Sequence, residues 1–225
     1  MTQNVYDDER FFEAYGRLPR SIQGLDGAPE WPALRALLPP LDGRRVLDLG
    51  CGFGWFCRWA RGHGAARVLG VDVSERMLAR ATAETHDPAI AYVRADLERL
   101  EVPAAAFDLA YSSLALHYVV DLAGLLARVH AALAPGGALV FSVEHPLCTA
   151  LGNYLDEGPR ATDWLAAGVI KQHRTIATYV DLLLRAGFTL AHLDEWGPSP
   201  EQIASHPEWA NERQRPPFLL VAGRS

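Results

Sequence analysis

VLDLGCGFG, residues 46–54, reads as a short buried strand that runs directly into a glycine-rich loop. Loops of this kind join a strand to a helix in several nucleotide-binding folds, so the loop alone is weak evidence. Its glycines, Gly50, Gly52 and Gly54, are spaced as GxGxG. A dinucleotide site has GxGxxG and would require glycine in place of Trp55. The spacing therefore disfavours a dinucleotide ligand.

Strands and helices alternate on the C-terminal side of this loop, which predicts an α/β protein with a doubly wound, mostly parallel sheet. Strands are predicted in 66–73, 89–96, 107–113, 138–145, 188–196 and 217–224, and helices from Ser74, from Asp121 and over 175–186. Ser74 is a good N-cap. No clear helix separates the last two strands, so the last strand can return antiparallel.

Three acidic residues end the first three strands of this core: Asp48, Asp72 and Asp96. Parallel strands end at one edge of a sheet, and open α/β sheets bind ligands there. Asp48 suits a ligand that carries an ammonium and a sulfonium, since opposite charges attract. Asp72 is placed to accept hydrogen bonds from ribose hydroxyls, and Asp96 from an exocyclic amine. Each alone is also typical of a structural carboxylate; together with the loop they predict a nucleoside site.

Five segments, in this order, resemble the class I S-adenosylmethionine-dependent methyltransferases, closest to the small-molecule, ubiquinone-biosynthesis-like branch. They are VLDLGCGFG (46–54), VLGVDVSERMLARA (68–81), YVRADLERL (92–100), FDLAYSSLALHYV (107–119) and LAPGGALVFSVEHP (133–146). The resemblance implies S-adenosyl-L-methionine as cofactor, S-adenosyl-L-homocysteine as product, and a seven-stranded sheet whose last strand is antiparallel.

The resemblance also implies roles for individual residues along the cofactor. The residues expected to contact it are Asp48, Gly50, Cys51, Gly52, Asp72, Val73, Met77, Asp96, Leu97, Ser112, Ser113 and Arg20. Gly50, Cys51 and Gly52 line the methionine part, while Ser112 and Ser113 border the methyl group. Asp72 holds the ribose, Val73 and Met77 flank the adenine, and Asp96 and Leu97 contact its edge. Arg20 is expected to meet the cofactor carboxylate.

The chain is predicted to be a single methyltransferase domain over residues 1–225. Residues 1–43 read as an N-terminal helical cap and 44–145 as the cofactor-binding core. Residues 146–174 are too long for an ordinary connection and read as a substrate cover with aromatic and polar side chains. Residues 175–225 supply the last helix and strands.

Four polar side chains are candidates for contact with the methyl acceptor. His117 follows the fourth strand, Glu144 and His145 follow the fifth, and His173 lies just before the last predicted helix. Histidine titrates near neutral pH and suits a general base, although a lone histidine is more often a structural hydrogen-bonding residue. A base is needed only if the attacking atom must lose a proton. Glu144 instead favours pairing with a cation or with the acceptor.

We therefore expect metal-independent, in-line methyl transfer to oxygen, nitrogen or carbon of a small metabolite. The fourth strand ends without the carboxylate that a magnesium site needs, and no (N/D)PPY segment follows it. A net charge of −6 disfavours nucleic acid as a partner. Without an apolar leader or span, a cytoplasmic monomer or homodimer is expected. The alternatives are a catalytically silent cofactor-binding protein and an NAD(P)-type oxidoreductase.

Overall fold

A seven-stranded sheet forms the centre of the protein, for which a computed structural model describes residues 3–150 and 152–225. The strand order across it is β3-β2-β1-β4-β5-β9-β8. These strands are β1 (Arg45–Leu49), β2 (Arg67–Asp72), β3 (Ile90–Arg94), β4 (Phe107–Ser113), β5 (Leu133–Glu144), β8 (Thr189–Trp196) and β9 (Phe218–Arg224).

The last strand along the chain, β9, is antiparallel to the other strands of this sheet. β1 to β5 pair in parallel, while β9 pairs antiparallel with β5 on one side and with β8 on the other. The predicted mostly parallel, seven-stranded sheet with an antiparallel last strand is confirmed. Because β1 to β5 point the same way, their carboxyl ends meet along one edge, where ligands bind in open α/β sheets.

The central strands are apolar because helices cover both faces of the sheet. Val46, Leu47 and Leu49 of β1 are completely buried, and so are Leu139 and Val140 of β5. The helices are α1 (Glu9–Gly16), α2 (Pro19–Ile22), α3 (Trp31–Ala36), α4 (Trp55–Gly62), α5 (Glu75–Ala83), α6 (Leu122–Ala132), α7 (Pro146–Thr149), α8 (Ile176–Arg185) and α9 (Pro200–Ser205).

Short polar side chains begin several of these helices by accepting a backbone N–H of the first turn. Ser74 Oγ accepts from Met77 N at 3.1 Å, which confirms the predicted cap of α5. Asp121 and Thr175 cap α6 and α8 in the same way. These helices therefore start where the sequence predicts them.

The connection between β8 and β9 contains helices that were not predicted, so the expectation of a helix-free connection was wrong. Ser199 and Gln202 form a reciprocal capping box around Pro200 at the start of α9, and a 3-10 helix follows over Pro207–Arg213. Proline at the first helical position is compatible with a helix, because its missing N–H would be unpaired there anyway.

The described residues of the segment 146–174 include α7 and a separate hairpin of β6 (Gly158–Thr162) and β7 (Val169–His173). The hairpin packs on the 3-10 turn Leu116–Tyr118 that follows β4. It therefore stands beside the sheet edge at which ligands are expected. In the described part of the chain, no helix has both the length and the apolar character that a membrane crossing requires.

Two adjacent leucines of α8 offer a matched test of core packing. Leu183 is completely buried in the core between α8 and the sheet, whereas Leu184 is 50% exposed. We expect Leu183→Ala to lower the free energy of unfolding by ~2–5 kcal/mol, because it leaves a cavity. Leu184→Ala should change it by less than about 0.5 kcal/mol. Urea denaturation of both variants measures this, and equal losses would contradict the described position of α8.

Candidate active site

A large cavity opens at the carboxyl edge of the sheet and has a volume of ≈ 630 Å³. The glycine loop, Asp48 and Asp72 form one end of it. Ser113 and Glu144, which end β4 and β5, form the other end together with His117, which lies in the turn after β4. Volumes of this size are typical of pockets that bind small molecules.

The glycine loop keeps its backbone open toward the cavity. Gly50 and Cys51 donate backbone N–H bonds to Val71 O, at 2.8 and 3.0 Å. Gly50 has φ +75°, and a Cβ there would come within 2.4 Å of Ala115 Cβ. Gly52 has φ +52°, but a Cβ there would meet no atom within 4 Å. The space above Gly52 therefore remains available to a ligand that approaches the backbone.

Asp72 fixes the shape of this loop from the end of β2. One carboxylate oxygen accepts from Gly52 N at 2.9 Å, and the other accepts from Ser74 N at 2.9 Å. Burial raises the pKa of Asp72, although these backbone bonds oppose the rise. The carboxylate thus joins the glycine loop to the start of α5 and still lines the cavity.

Asp48 lies beneath the loop and is almost fully buried. Its Oδ2 accepts a hydrogen bond from Cys57 Sγ at 3.2 Å. Burial, with a smaller contribution from the nearby Asp72 carboxylate, raises the pKa of Asp48 to about 7, while the hydrogen bond from Cys57 opposes the rise. A cation bound next to Asp48 would favour the ionised form. The site is therefore prepared for a positively charged group.

Of the remaining residues predicted to contact the cofactor, all but Ser112 line the cavity. Those that line the cavity are Arg20, Gly50, Cys51, Gly52, Val73, Met77, Asp96, Leu97 and Ser113. Ser112 does not line it: the hydroxyl donates to Leu49 O at 2.8 Å and ties β4 to β1. Asp96 accepts from Glu98 N at 3.0 Å.

Arg20 reaches the cavity but already has a partner. Its Nη2 lies 3.0 and 3.2 Å from the two carboxylate oxygens of Glu30, which is 1% exposed. The Arg20 guanidinium also lies 5.8 Å from the centre of the Phe218 ring. A ligand carboxylate would therefore have to share Arg20 with Glu30. Glu30 was not among the predicted site residues, because nothing local in 1–43 indicates that pairing.

His117, Glu144 and Lys171 form one cluster at the far end of the cavity. Glu144 N donates to His117 Nδ1 at 3.3 Å, and Lys171 Nζ lies 2.8 Å from Glu144 Oε2. Lys171 is 4% exposed and its Nζ lies 5.1 Å from the centre of the Trp164 ring. Burial, helped by the charges of Lys171 and Arg174, lowers the pKa of His117 to about 3.

His145 and His173 lie outside the cavity wall, unlike His117. His145 Nε2 pairs with Glu195 at 2.9 Å, and its Nδ1 accepts from Leu147 N at the start of α7. His173 is held between the Thr149 hydroxyl and the Tyr154 carbonyl. Both ring nitrogens of each histidine are thus engaged in structural bonds, so their placement does not support a role as a base.

The N-terminal segment covers the cavity between its two ends. Asp7 accepts from Ser74 Oγ at 2.6 Å and from Arg76 N at 3.1 Å, which fastens the segment to the start of α5. Gln3 bonds to the hairpin through Gly168 O and Ile170 N. Tyr6 lies between these two attachments and lines the cavity.

Lys171 is distinguished in the sequence by its residue type. It is the only lysine in the chain, which has twenty arginines. A solitary lysine is informative here because its compact ammonium differs chemically from the planar guanidinium. In the described residues, no three histidine, cysteine, aspartate or glutamate side chains are grouped so that they could hold a metal ion.

Residues 47–141 match the family model described as a methyltransferase domain. The chain is also similar to a solved S-adenosylmethionine dependent methyltransferase from Mesorhizobium loti. The two share 56% sequence identity with a TM-score of 0.87, over 90% of this chain and 100% of that one.

Two curated proteins are similar to this chain over different lengths. A Haemophilus influenzae protein without an assigned function is 33% identical over 98% of this chain and 96% of its own. A malonyl-[acyl-carrier protein] O-methyltransferase of Enterobacter lignolyticus is 36% identical over 60% of this chain, which spans only 54% of that protein.

Asp48 should make the stability of the unliganded protein depend on pH. The unfolded carboxyl releases its proton near pH 3.8, whereas the folded one keeps it until about pH 7. This contribution is therefore complete below the unfolded pKa and disappears as pH rises through the folded pKa. The difference in free energy of unfolding between the wild type and Asp48→Asn should fall across that window.

Urea denaturation over this pH range measures that difference, with the exposed Asp181→Asn as the control. A pH-independent difference for Asp48→Asn would show that the buried carboxyl ionises as it does in the unfolded chain.

Proposed function

This chain belongs to the S-adenosylmethionine-dependent methyltransferases, and on that premise we propose metal-independent, in-line transfer of a methyl group to an oxygen, nitrogen or carbon atom of a small metabolite. That it is a methyltransferase with S-adenosylmethionine as cofactor, acting on small molecules, follows from the family. The acceptor atom and the absence of a metal requirement are the proposed parts.

The two-ended cavity carries this proposal. The glycine loop and the buried Asp48 and Asp72 occupy one end, and the cluster around Glu144 occupies the other. A protein that only bound the cofactor would not need the second end. The size of the shared space therefore supports a two-substrate reaction over the silent-binder alternative, and the GxGxG spacing still disfavours an oxidoreductase.

We assign the cofactor by the contacts available at the first end. The open backbone at Gly52 would border the methionine part, and the buried Asp48 lies where an ammonium or sulfonium would be stabilised. Asp72 would accept from ribose hydroxyls, with Met77 and Asp96 at the adenine. Arg20 would bind the carboxylate only if it exchanged part of its pairing with Glu30.

When bound, S-adenosylmethionine supplies a methyl group on a sulfonium, whose departing sulfur is neutral and needs no metal. The protein then contributes mainly by position, because in-line alignment of two bound reactants can supply much of the rate acceleration. The end of the cavity around Glu144 is called the acceptor end. Tyr6, Tyr118 and Trp164 enclose it and would exclude water from it. The likeness to an O-methyltransferase supports oxygen among the three candidate atoms.

Replacement of Asp72 tests the cofactor assignment. We expect Asp72→Ala to weaken binding of S-adenosylhomocysteine by ~1–3 kcal/mol, because a hydrogen-bonded partner is lost. Isothermal calorimetry measures the affinity, and a thermal melt verifies that the variant is folded. Asp181→Ala, at an exposed carboxylate on α8, is the matched control and should leave the affinity unchanged. Wild-type affinity in Asp72→Ala would contradict the ribose assignment.

Chelation tests the absence of a metal requirement. The protein is incubated with methyl-labelled S-adenosylmethionine and the small-molecule filtrate of a bacterial extract, with and without EDTA. We expect label to enter a small molecule at the same rate in both samples, and Asp72→Ala to reduce this transfer. If EDTA abolished label transfer and added magnesium restored it, the proposed absence of a metal requirement would be contradicted. If the wild type transferred no label at all, the result would favour the catalytically silent cofactor-binding protein.

A further inference from the structure

The only lysine of the chain lies in the wall of the acceptor end. Lys171 is 4% exposed, and its ammonium pairs with Glu144 at 2.8 Å. Burial of an ammonium is costly unless it is paired, so Glu144 explains how Lys171 is tolerated there. An ammonium has three protons, and Glu144 can occupy only part of this donor capacity. The remaining N–H groups are available to a ligand in the cavity.

His117 presents a second donor beside Lys171. Its Nδ1 accepts the N–H of Glu144 at 3.3 Å, so Nδ1 carries no proton. A neutral imidazole must then carry its proton on Nε2. Among the described residues, no hydrogen-bond partner lies at Nε2, and His117 lines the cavity. The ring can therefore donate a hydrogen bond to a ligand, but it has no vacant nitrogen with which to accept a proton.

The charges around these two donors favour an anion. Lys171 and Arg174 are positive and Glu144 is negative, which leaves one net positive charge beside His117. Arg174 is held in place by bonds to the carbonyl oxygens of Val119 and Val120, at 2.6 and 2.8 Å. Its charge therefore stays fixed near the acceptor end.

We propose that the Lys171 ammonium and the His117 Nε2–H together bind an oxyanion of the methyl acceptor, either a carboxylate or the deprotonated oxygen of a phenol or enol. This inference rests on the proposed methyl transfer and narrows its substrate class. Glu144 is the positioning residue for both donors, through its backbone N–H to His117 and its carboxylate to Lys171.

An oxyanion also balances the reaction without a protein base. A carboxylate arrives already deprotonated, whereas a phenol or enol gives its proton to water when its oxyanion binds; the oxygen then uses a lone pair to form the new O–CH3 bond. The S–CH3 bond breaks, and its electron pair returns to the sulfur, which becomes neutral. Because no protein group has to take a proton, His117 acts as a hydrogen-bond donor that orients the oxygen, and not as the general base that its residue type suggests.

Two probe anions can test this without knowledge of the natural acceptor. The protein is labelled with ¹⁵N-lysine, which gives one side-chain ammonium signal because Lys171 is the only lysine. Benzoate and 4-nitrophenol are then titrated into the protein with and without S-adenosylhomocysteine, and benzamide serves as the uncharged analogue of benzoate. We expect an anion to shift the ammonium signal and benzamide to leave it in place.

The visible absorbance of 4-nitrophenol gives an independent readout, since only its ionised form absorbs strongly at long wavelength. Bound nitrophenol should ionise at a lower pH than free nitrophenol. A response to benzoate alone would assign carboxylates as the acceptor class, and a response to nitrophenol alone would assign phenols or enols.

Substitutions identify the donors. Lys171→Met and His117→Phe should each weaken binding of the responding anion at least about tenfold, as expected for loss of a hydrogen bond to a charged group. Lys171→Arg should restore part of the affinity. If Lys171→Met does not fold because Glu144 loses its partner, the double variant Lys171→Met with Glu144→Gln removes both charges. The exposed Arg185→Met and His192→Phe are matched controls and should bind like the wild type.

Several results would overturn the inference: an unmoved lysine signal with both anions, equal affinity for benzoate and benzamide, or wild-type affinity in Lys171→Met. Failure of the proposed function is recognised separately, because it would appear as absent binding of S-adenosylhomocysteine in calorimetry. The anion titrations of the unloaded protein remain decisive in that case.

Discussion

The hydrogen bond from Gly52 N–H to the Asp72 carboxylate is the contact on which the site depends. It joins the loop after β1 to the end of β2, while the second Asp72 oxygen holds the start of α5 through Ser74 N–H. A carboxylate at the end of a neighbouring parallel strand is close enough to make both bonds. These bonds hold the loop so that its glycine backbone faces the cavity, and the absence of a side chain at Gly52 leaves room for a ligand there.

The acceptor end is organised by a different kind of residue. Glu144, the last residue of β5, uses its backbone N–H to fix the His117 ring and its side chain to neutralise Lys171. One strand end therefore determines both the proton position on an imidazole and the direction of an ammonium. The hairpin carries Lys171 against the turn that carries His117, which brings together residues that are 54 positions apart in the chain.

The two ends also explain why the histidine expectations had different outcomes. His117 and His145 follow strands β4 and β5, His173 precedes the helix α8, and nothing in the sequence distinguishes the chemistry of the three rings. His145 and His173 are used to hold α7 and the segment before the hairpin, because their ring nitrogens meet local polar groups when these segments pack. Only His117 keeps a nitrogen directed away from structural partners among the described residues.

The sequence by itself determined the strand order along the chain, the glycine loop and the acidic strand ends, because these are set by local periodicity and by short spacings. The tertiary structure alone decided the Arg20–Glu30 pair and the meeting of Lys171 with Glu144. Arg20 and Glu30 meet across the turn between α2 and α3, and Lys171 reaches Glu144 only when the hairpin packs beside the sheet edge, so neither pairing of charges leaves a periodic pattern in the sequence.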